Sequence, residues 1–323
     1  MPQPSAAMTI QISSLEELRK TLAGAHARGE KVTGINLEAL NRVVAHTPED
    51  MTVTVEAGIT LARLQTELAR QRQWLPIDPP NPGRLTLGAL LTTDASGPRR
   101  FGYGTIRDYL IGIRVALVDG RVIQSGGKVV KNVAGYDLAK LFIDCHGSLG
   151  VIVEATFKLR PLPEAEQFVQ TRCESLERAG ALIEAVIESE MTPVVLDLHN
   201  LAPPDGQGSN RFFVVLGFAG TREEVEWQSA IAHQLGLKEP ASLDHEKKFW
   251  SSGPSPARIS VLPSRVAESL RGLGVIPFVA RAGDGVIYCR GGPQPDRAEL
   301  PMKLIRRVKD AFDPRHVLPD LPL

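Results

Sequence analysis

Apolar residues recur at helical spacing near the N-terminus and then alternate with polar residues. Ser14, with Glu17 three residues later, has the spacing of a capping box and predicts an amphipathic helix over 14–27. The segment 51–57 alternates strictly and ends at a glycine, which predicts a strand. Leucines on one face of 59–72 predict a second helix. The chain therefore opens with helix and strand in turn.

Short β-branched runs continue the pattern between residues 75 and 159. Four prolines in 75–82 predict an extended stretch with few backbone donors. A strand is predicted over 109–118, and Asp119-Gly120 predicts a hairpin turn into the next strand. The segment 148–159 alternates as a further strand. Helices and strands mix without a regular βαβ rhythm, which predicts an α+β fold and not a doubly wound sheet.

A proline-rich segment at 161–164 divides the pattern into two parts. We expect a first domain over 1–162, a second over 163–300 and a returning helix and tail over 301–323. The second part runs in the order β-α-β-β-α-β, which predicts an antiparallel sheet with helices on one side. A last helix is predicted over 299–311.

Glycines are dense between residues 75 and 159. Three uncharged segments (86–88, 95–97 and 134–136) combine glycine with small polar residues. Their backbone N–H groups would cradle a diphosphate without a large basic patch, because amides that point together form an anion site. The alternative is a turn-rich α+β domain in which the glycines serve only as turns. Spacing alone does not decide between the two.

Composition and charge exclude several classes of function. The 323 residues are 43% hydrophobic, and 37 basic residues balance 37 acidic ones, so nucleic acid and anionic membrane surfaces are not expected partners. No apolar run reaches the roughly 20 residues of a membrane span, and the N-terminus lacks the pattern of a secretory signal. Cys145, Cys173 and Cys289 are far apart without CxxC spacing, which predicts free thiols in a cytoplasmic protein. The histidines lack HxH or HExxH spacing, so no metal site is predicted.

The run GGKVVKNVAGYDL at 126–138 resembles the FAD-binding subunit of bacterial glycolate oxidase, within the vanillyl-alcohol-oxidase (PCMH) type of FAD-linked oxidases. The match is convincing over 36–160, whereas 165–300 matches only in size and layout. Further matching motifs are TVTVEAG at 52–58, TLG at 86–88, SGPRR at 96–100, Arg107-Asp108, GSLGVI at 147–152 and Phe312-Asp313-Pro314.

The resemblance implies a PCMH-type FAD-binding domain of two α+β subdomains and a smaller α+β cap with an antiparallel sheet. FAD would be held non-covalently in extended form. Segments 83–97 and 147–152 would approach its diphosphate, ribose and adenine through backbone amides. The residues that the resemblance places at the cofactor are Pro79, Pro80, Thr86, Leu87, Gly88, Thr92, Ser96, Gly97, Arg100, Gly102, Gly104, Asp108, Asn132, Gly135, Tyr136, Gly147, Gly150, Val151 and Ile152.

The resemblance also implies an activity and partners. The chain would be the flavin subunit of a 2-hydroxyacid dehydrogenase that acts on glycolate or a similar small hydroxy acid. Its electrons would pass to partner subunits, a second flavoprotein subunit and an iron–sulfur subunit. These partners would account for any peripheral association with a membrane.

One departure from the family pattern opens two alternatives. The family carries a longer, glycine-rich loop over the diphosphate, but this chain has only the short segment 28–34 there. Each lost amide donor would cost about 1 kcal/mol of cofactor affinity. A flavin-free assembly subunit is therefore one alternative, and a free-standing oxidase of another small hydroxy acid or alcohol is the other. No histidine follows a glycine pair in this loop, so covalent attachment of flavin is not expected.

The sequence does not decide the roles of several individual polar residues. Arg99 and Arg100 would contact phosphate or a substrate carboxylate, or would be solvated loop arginines. His146 is expected to be packed or hydrogen-bonded. Neither His199 nor His245 has a sequence context that indicates a substrate base, so the catalytic residues are left unassigned.

Overall fold

Two large antiparallel sheets organise the chain. The computed structural model describes residues 9–127, 137–201, 212–251, 253–274, 276–291 and 301–321. The first sheet has five strands, in the order Val43–Thr47, Thr52–Glu56, Val151–Lys158, Leu110–Ala116 and Val122–Gly126. The second has seven, in the order Glu239–Pro240, Ala165–Cys173, Phe212–Gly220, Val195–His199, Phe278–Arg281, Val286–Cys289 and Ala257–Ser260. The predicted α+β class with antiparallel sheets is confirmed.

The elements up to residue 161 build the first sheet and two small strand pairs. The strands are β1 (Ile10–Gln11), β2 (Ile35–Asn36), β3 (Val43–Thr47), β4 (Thr52–Glu56), β5 (Gln73–Trp74), β6 (Leu110–Ala116), β7 (Val122–Gly126), β8 (Val151–Lys158) and β9 (Arg160–Pro161). The helices are α1 (Leu15–Arg28), α2 (Leu61–Ala69), α3 (Leu87–Thr93), α4 (Arg100–Tyr103) and α5 (Ile106–Tyr109), with 3-10 turns at Pro48–Asp50 and Leu138–Phe142. Strand β1 pairs in parallel with β2, and β5 pairs with β9.

The second sheet and its helices follow. The strands are β10 (Ala165–Cys173), β11 (Val195–His199), β12 (Phe212–Gly220), β13 (Glu239–Pro240), β14 (Ala257–Ser260), β15 (Phe278–Arg281) and β16 (Val286–Cys289). The helices are α6 (Leu176–Glu188), α7 (Arg222–Gln234), α8 (Asp244–Ser251), α9 (Val266–Gly272) and α10 (Met302–Phe312), with a 3-10 turn at Pro263–Arg265. The predicted β-α-β-β-α-β order is followed by β10, α6, β11, β12 and α7, but the next strand, β13, was not predicted. Helices α8 and α9 were not predicted.

Local capping explains where several helices begin. The Ser14 hydroxyl accepts the Glu17 amide at 3.2 Å, as predicted. The reciprocal half of the predicted capping box is wrong, because the Glu17 carboxylate accepts from the Ser13 amide at 2.8 Å instead. Thr60 caps α2, and Thr221 caps α7. These polar residues satisfy the first amides of each helix, which have no partner within it.

Apolar side chains form a separate core on each large sheet. Val53, Ile113 and Phe157 of the first sheet pack with leucines of α2 and α3. Leu196, Leu198 and other residues of the second sheet pack against α6, α7 and α9. Val308 and Phe312 of α10 lie against the first core, so this last helix returns to the N-terminal sheet.

Helix α4 joins the two sheets through close packing. The Gly102 amide donates to the Val194 carbonyl oxygen at 3.2 Å, and a Cβ on Gly102 would lie 2.6 Å from Val194 Cα. Phe101 packs against the core of the second sheet. A larger residue at Gly102 would push α4 and its loop away from the second sheet, because backbone atoms cannot give way as side chains do.

Two expectations about the chain as a whole can be compared with the structure. The three cysteines are free and buried, as predicted. Among the described residues, no helix combines the length and apolarity needed to cross a membrane. The boundaries 1–162, 163–300 and 301–323 stay predictions.

Candidate cofactor site

A cavity of about 290 Å³ lies where β2, α3, the start of β8 and the C-terminal segment meet. This volume is close to the lower end of the range of about 300–1,000 Å³ that is usual for small-molecule sites. Among the described residues, its lining includes no lysine, arginine or carboxylate. The lining residues are Val32, Thr33, Gly34, Ile35, Leu37, Ala57, Thr86, Gly88, Ala89, Thr92, His146, Gly147, Val151, Ile152, Leu318 and Pro319.

Six of the residues expected at the cofactor meet in this cavity. They come from two segments that are far apart in sequence, 86–92 and 147–152. The six are Thr86, Gly88, Thr92, Gly147, Val151 and Ile152. The structure thus brings together the two motifs that the resemblance assigned to the nucleotide portion of FAD.

The amides of Leu87 and Gly88 do not face the cavity as free donors. The Leu87 amide donates to the Ile59 carbonyl oxygen at 2.9 Å, and the Gly88 amide donates to the Ala57 carbonyl oxygen at 2.8 Å. The expectation of amide donors is wrong for these two groups, because the segment before α3 pairs with the chain at Thr60. Their contribution to the cavity is its shape.

The shortened loop supplies other backbone donors. Among the described residues, the amides of Thr33 and Gly34 donate no hydrogen bond to another backbone or side-chain group. Both residues line the cavity. No motif in the loop predicts these donors, because the family's glycine cluster is missing from it.

The segment at 147–150 supplies an open glycine and a buried hydroxyl. Gly147 has φ +74°, and a Cβ placed on it would meet no atom within 4 Å. Ser148 is fully buried, and its hydroxyl has no hydrogen-bond partner among the described residues. Gly150 has a packing role, since a Cβ there would lie 2.6 Å from Val115 Cγ1. His146 also lines the cavity, and its Nε2 lies 3.4 Å from Asp144 Oδ1.

The remaining predicted residues lie away from the lining. A Cβ on Gly97 would be 1.9 Å from the Asp78 carbonyl oxygen, so this loop is pressed against the residue before Pro79 and Pro80. The Ser96 hydroxyl accepts from Arg100 Nη1 at 3.0 Å. Gly104 and Asp108 shape the start of α5, where Asp108 Oδ2 accepts the Thr105 amide at 2.8 Å. The predicted flavin-facing residues Asn132, Gly135 and Tyr136 lie outside the described residues.

Arg99 connects the two parts of the chain and is not a solvated loop residue. Its guanidinium pairs with Asp78 Oδ2 at 3.0 Å and with Glu166 Oε2 at 2.7 Å. Both expectations for Arg99, a phosphate contact and a solvated loop residue, are wrong, because two carboxylates occupy its donors. Burial raises the pKa of Asp78 to about 7, although Arg99 and Arg281 oppose the shift.

The C-terminal wall of the cavity is held by a buried ion pair. Lys309 Nζ donates to Asp313 Oδ2 at 2.7 Å and to the carbonyl oxygens of Ser148 (2.8 Å), Leu318 (3.1 Å) and Pro319 (3.0 Å). Burial alone raises the pKa of Asp313, but hydrogen bonds from Lys309 and from two backbone amides outweigh it and lower this pKa. Lys309 therefore ties the tail to the Gly147 segment.

A second polar cluster is buried on the other large sheet. Arg281 Nη1 donates to Asp197 Oδ2 at 2.7 Å, and Arg281 Nη2 donates to Glu246 Oε2 at 2.6 Å. His245 Nε2 lies 3.0 Å from the same Asp197 oxygen. Asp197, His245 and Glu246 have the spacing of metal ligands, but the guanidinium already occupies their carboxylates. The sequence signal for this cluster is Asp197, a charged residue in an otherwise mainly apolar strand.

The cavity can be tested against the shape of FAD. It is smaller than the whole cofactor, so it accommodates one portion of an extended molecule. Thr33 and Gly34 line it, and their amides, which donate to no other group that the structure describes, are donors of the kind that a diphosphate or ribose site without basic side chains uses. The residues present fit FAD in this portion.

Comparison with known families agrees with this fit. Residues 19–126 match the family described as FAD binding domain. This range includes the cavity residues from Val32 to Thr92. This segment of the chain is therefore similar to FAD binding domains.

Curated relatives are similar to half of this chain or less. The chain is 32% identical over 158 residues to glycolate oxidase subunit GlcD of Bacillus subtilis (strain 168), and 35% identical over 163 residues to glycolate oxidase subunit GlcE of Escherichia coli (strain K12). These matches cover 49% and 50% of this chain. A mitochondrial D-lactate dehydrogenase (cytochrome) of Arabidopsis thaliana is 38% identical over 130 residues, 40% of this chain and 23% of that protein.

The matched region is only part of these relatives. It amounts to 34% of GlcD and 45% of GlcE, so the chain spans less than half the length of either protein. A solved structure of alkyldihydroxyacetonephosphate synthase matches over 98% of this chain and 77% of its own, with TM-score 0.75 and 16% identity. The chain, with both of its large sheets, therefore has a fold similar to that of this protein.

Proposed function

We propose that this chain binds FAD non-covalently and is the flavoprotein subunit of an oxidoreductase that acts on the CH–OH group of a 2-hydroxy acid. The observation that carries this proposal is the cavity in which Thr86, Gly88, Thr92 and the 147–152 segment meet. FAD, when bound, accepts the two electrons that leave the hydroxy acid. The relatives named as glycolate oxidase subunits and D-lactate dehydrogenases support this substrate class.

The chain's own residues would hold the cofactor in a defined way. Thr33 and Gly34 would donate amides, Gly147 would leave room for close approach, and Leu318 and Pro319 would close the cavity from the C-terminal side. Segment 96–104 would set the position of the second sheet over the domain. We propose the division 1–162, 163–300 and 301–323 on the same basis.

Partner subunits are part of the proposal. GlcD and GlcE are each named as a glycolate oxidase subunit, which supports assembly with further subunits. We propose a second flavoprotein subunit and an iron–sulfur subunit as these partners. Such a complex would receive the electrons from the flavin. Turnover with dioxygen by the isolated chain would instead support a free-standing oxidase.

A flavin-free assembly subunit is the second candidate, and one observation favours it. The Leu87 and Gly88 amides donate to carbonyl groups of the protein itself, and the loop at 28–34 is short. The cavity therefore offers fewer hydrogen-bond donors than the sequence motifs predict. The two candidates differ in cofactor content, which can be measured.

Anaerobic reduction tests the proposed activity. Protein loaded with FAD is mixed with glycolate, D-lactate or ethanol, and absorbance near 450 nm is followed, alone and with partner subunits. We expect bleaching by a hydroxy acid and none by ethanol, because the proposed substrate class combines a hydroxyl with a carboxylate. Bound flavin that no hydroxy acid bleaches, even with the partners present, would contradict the proposal.

A further inference from the structure

A groove of about 750 Å³ lies where the two parts of the chain meet. Its walls come from α4, from the segment 160–164, from the C-terminal end of α6 and from the start of α7. Among the described residues, none lines both this groove and the cofactor cavity. A molecule bound in the groove would therefore contact both parts of the chain and leave the cofactor cavity open.

The walls of the groove are mainly apolar and offer few backbone donors. Pro161, Pro163 and Pro193 belong to them, and a proline has no amide hydrogen. The Glu164 amide is already used, since it donates to the Gly220 carbonyl oxygen at 3.0 Å. A small polar ligand needs hydrogen-bonding groups placed around it, whereas walls of this kind are suited to apolar side chains.

Two large apolar side chains are exposed beside the groove. Ile187 lines it and is 52% exposed, and Trp227 of α7 is 49% exposed. Trp227 lies three residues after Glu224, which lines the groove, so the two side chains are neighbours on one side of the helix. The Thr192 amide donates to Gln228 Oε1 at 2.7 Å, which holds the segment after α6 against this part of α7. Ile187 and Trp227 therefore belong to one surface.

The packing of α7 does not explain why a tryptophan is exposed here. This helix contacts the second sheet through another side, on which Val225, Gln228 and Ala232 are buried. Single exposed apolar residues are ordinary in soluble proteins. Tryptophan is enriched in protein interfaces, however, and apolar residues exposed together around a groove are typical of a binding surface.

The exposed surface of α6 and α7 around these side chains is acidic. Segments 184–190 and 222–228 carry six glutamates and one arginine. Glu224 caps α7, where its carboxylate accepts the Thr221 amide at 2.9 Å. The other five glutamates are exposed, and their carboxylates have no ion-pair or hydrogen-bond partner within the part of the chain that the structure describes. They are Glu184, Glu188, Glu190, Glu223 and Glu226.

We propose that this surface docks a basic segment of a partner polypeptide. The apolar side chains of the segment would pack in the groove against Ile187 and Trp227, and its lysines or arginines would pair with the five glutamates. Opposite charges of this kind orient a partner and speed its association. The proposal does not rest on the proposed function, because the groove is formed without FAD.

The charge of the surface favours a basic polypeptide over two other occupants. Membrane surfaces that attract proteins by charge are anionic, so they would repel the glutamates. A second copy of this chain in a two-fold dimer would bring the same glutamates of both copies together, because a two-fold interface uses the same surface twice. A partner with lysines or arginines relieves this repulsion.

Fluorescence anisotropy of a labelled peptide of lysine and leucine, titrated with the full chain, tests the proposal. A peptide of glutamate and leucine with the same length is the probe of opposite charge. Trp227→Ser and Ile187→Ser remove the exposed apolar side chains and leave the core intact. The double variant Glu188→Gln with Glu223→Gln removes two of the charges.

Matched controls come from exposed residues elsewhere on the chain. Leu262→Ser is the apolar control, because Leu262 is 66% exposed and does not line the groove. Glu38→Gln with Glu49→Gln is the charge control, because both glutamates are exposed on the first part of the chain.

We expect the lysine–leucine peptide to bind wild type at least tenfold more tightly than the glutamate–leucine peptide. Both serine variants at the groove should bind it at least tenfold more weakly, and both controls should match wild type. The double glutamine variant should bind it at least threefold more weakly at low salt and equally at high salt, because salt screens exposed charges. Absence of binding to wild type, equal binding by all variants or equal binding of the two peptides would each overturn the proposal.

Two further measurements test the other occupants. In sedimentation of the chain alone, a dimer that Trp227→Ser abolishes would overturn the proposal in favour of a second copy. Flotation with phosphatidylcholine vesicles that the same variant abolishes would overturn it in favour of a membrane. Flavin absorbance of the same samples separates the two proposals, since a chain without flavin that still binds the peptide contradicts only the proposed function.

Discussion

Replacing Arg281 with methionine is expected to destabilise the second sheet by about 3–5 kcal/mol, because it leaves buried carboxylates without their cation. Arg281 is 1% exposed and binds both Asp197 and Glu246. Methionine fills a similar volume, so the loss of stability comes mainly from the missing charge and hydrogen bonds and not from an empty cavity. Urea unfolding, monitored by tryptophan fluorescence, measures this loss of stability. Trp250 reports on the region because it lies in α8 and its Nε1 donates a hydrogen bond to Glu246.

Two further variants identify the cause of the Arg281 effect. Arg271→Met removes an exposed partner of Glu177 and should leave the unfolding midpoint unchanged. Adding Glu246→Gln to Arg281→Met should recover part of the loss, because one uncompensated charge is removed. A cost below about 1 kcal/mol for Arg281→Met would contradict a buried ionic network.

Replacing Lys309 with methionine is expected to cost about 3–5 kcal/mol and also to weaken FAD binding, because Asp313 would be left buried without its cation. Lys309 is 6% exposed, and Asp313 is fully buried. The same amine holds Ser148, Leu318 and Pro319 by their carbonyl oxygens, and the last two line the cavity. Thermal unfolding and FAD titration by fluorescence quenching measure the two effects.

Acid pH supplies a check on the same ion pair. The pKa of Asp313 is lowered in the folded protein. Ionised Asp313 therefore stabilises the fold fully above the pKa of the unfolded chain, about 3.9, and this stabilisation is lost as pH falls through the pKa of the folded protein. The stability difference between wild type and Asp313→Asn should therefore shrink at pH 3 relative to pH 7. Lys303→Met, on an exposed position of the same helix, is the control. Unchanged FAD binding in Lys309→Met would show that the tail does not shape the cavity.

Sequence patterns predicted the features of the fold that depend on neighbours in the chain. Ser14 and Thr60 cap helices because their hydroxyls reach amides three residues away. The order of strands and helices from β10 to α7 follows from apolar periodicity. Helix α8 was missed because its polar residues His245 and Glu246 face inward, against partners that periodicity does not reveal.

The candidate site was predictable only in part, for the same reason. The motifs at 86–88 and 147–152 identified one wall of the cavity. The roles of Arg99 and Arg281 depend on carboxylates that are 67 and 84 residues away in the chain. The Leu87 and Gly88 amides were assigned to a ligand because the sequence does not show that the carbonyl groups of Ala57 and Ile59 reach them.

The central claim is that the cavity binds FAD despite the short loop at 28–34. An absorbance scan from 300 to 550 nm, before and after addition of FAD and desalting, tests it most directly. The account predicts flavin bands near 375 and 450 nm that survive desalting. When the protein is then precipitated, the flavin should stay in the soluble fraction, as expected for a non-covalent cofactor. A flat spectrum after FAD addition and desalting would contradict it and support the flavin-free assembly subunit.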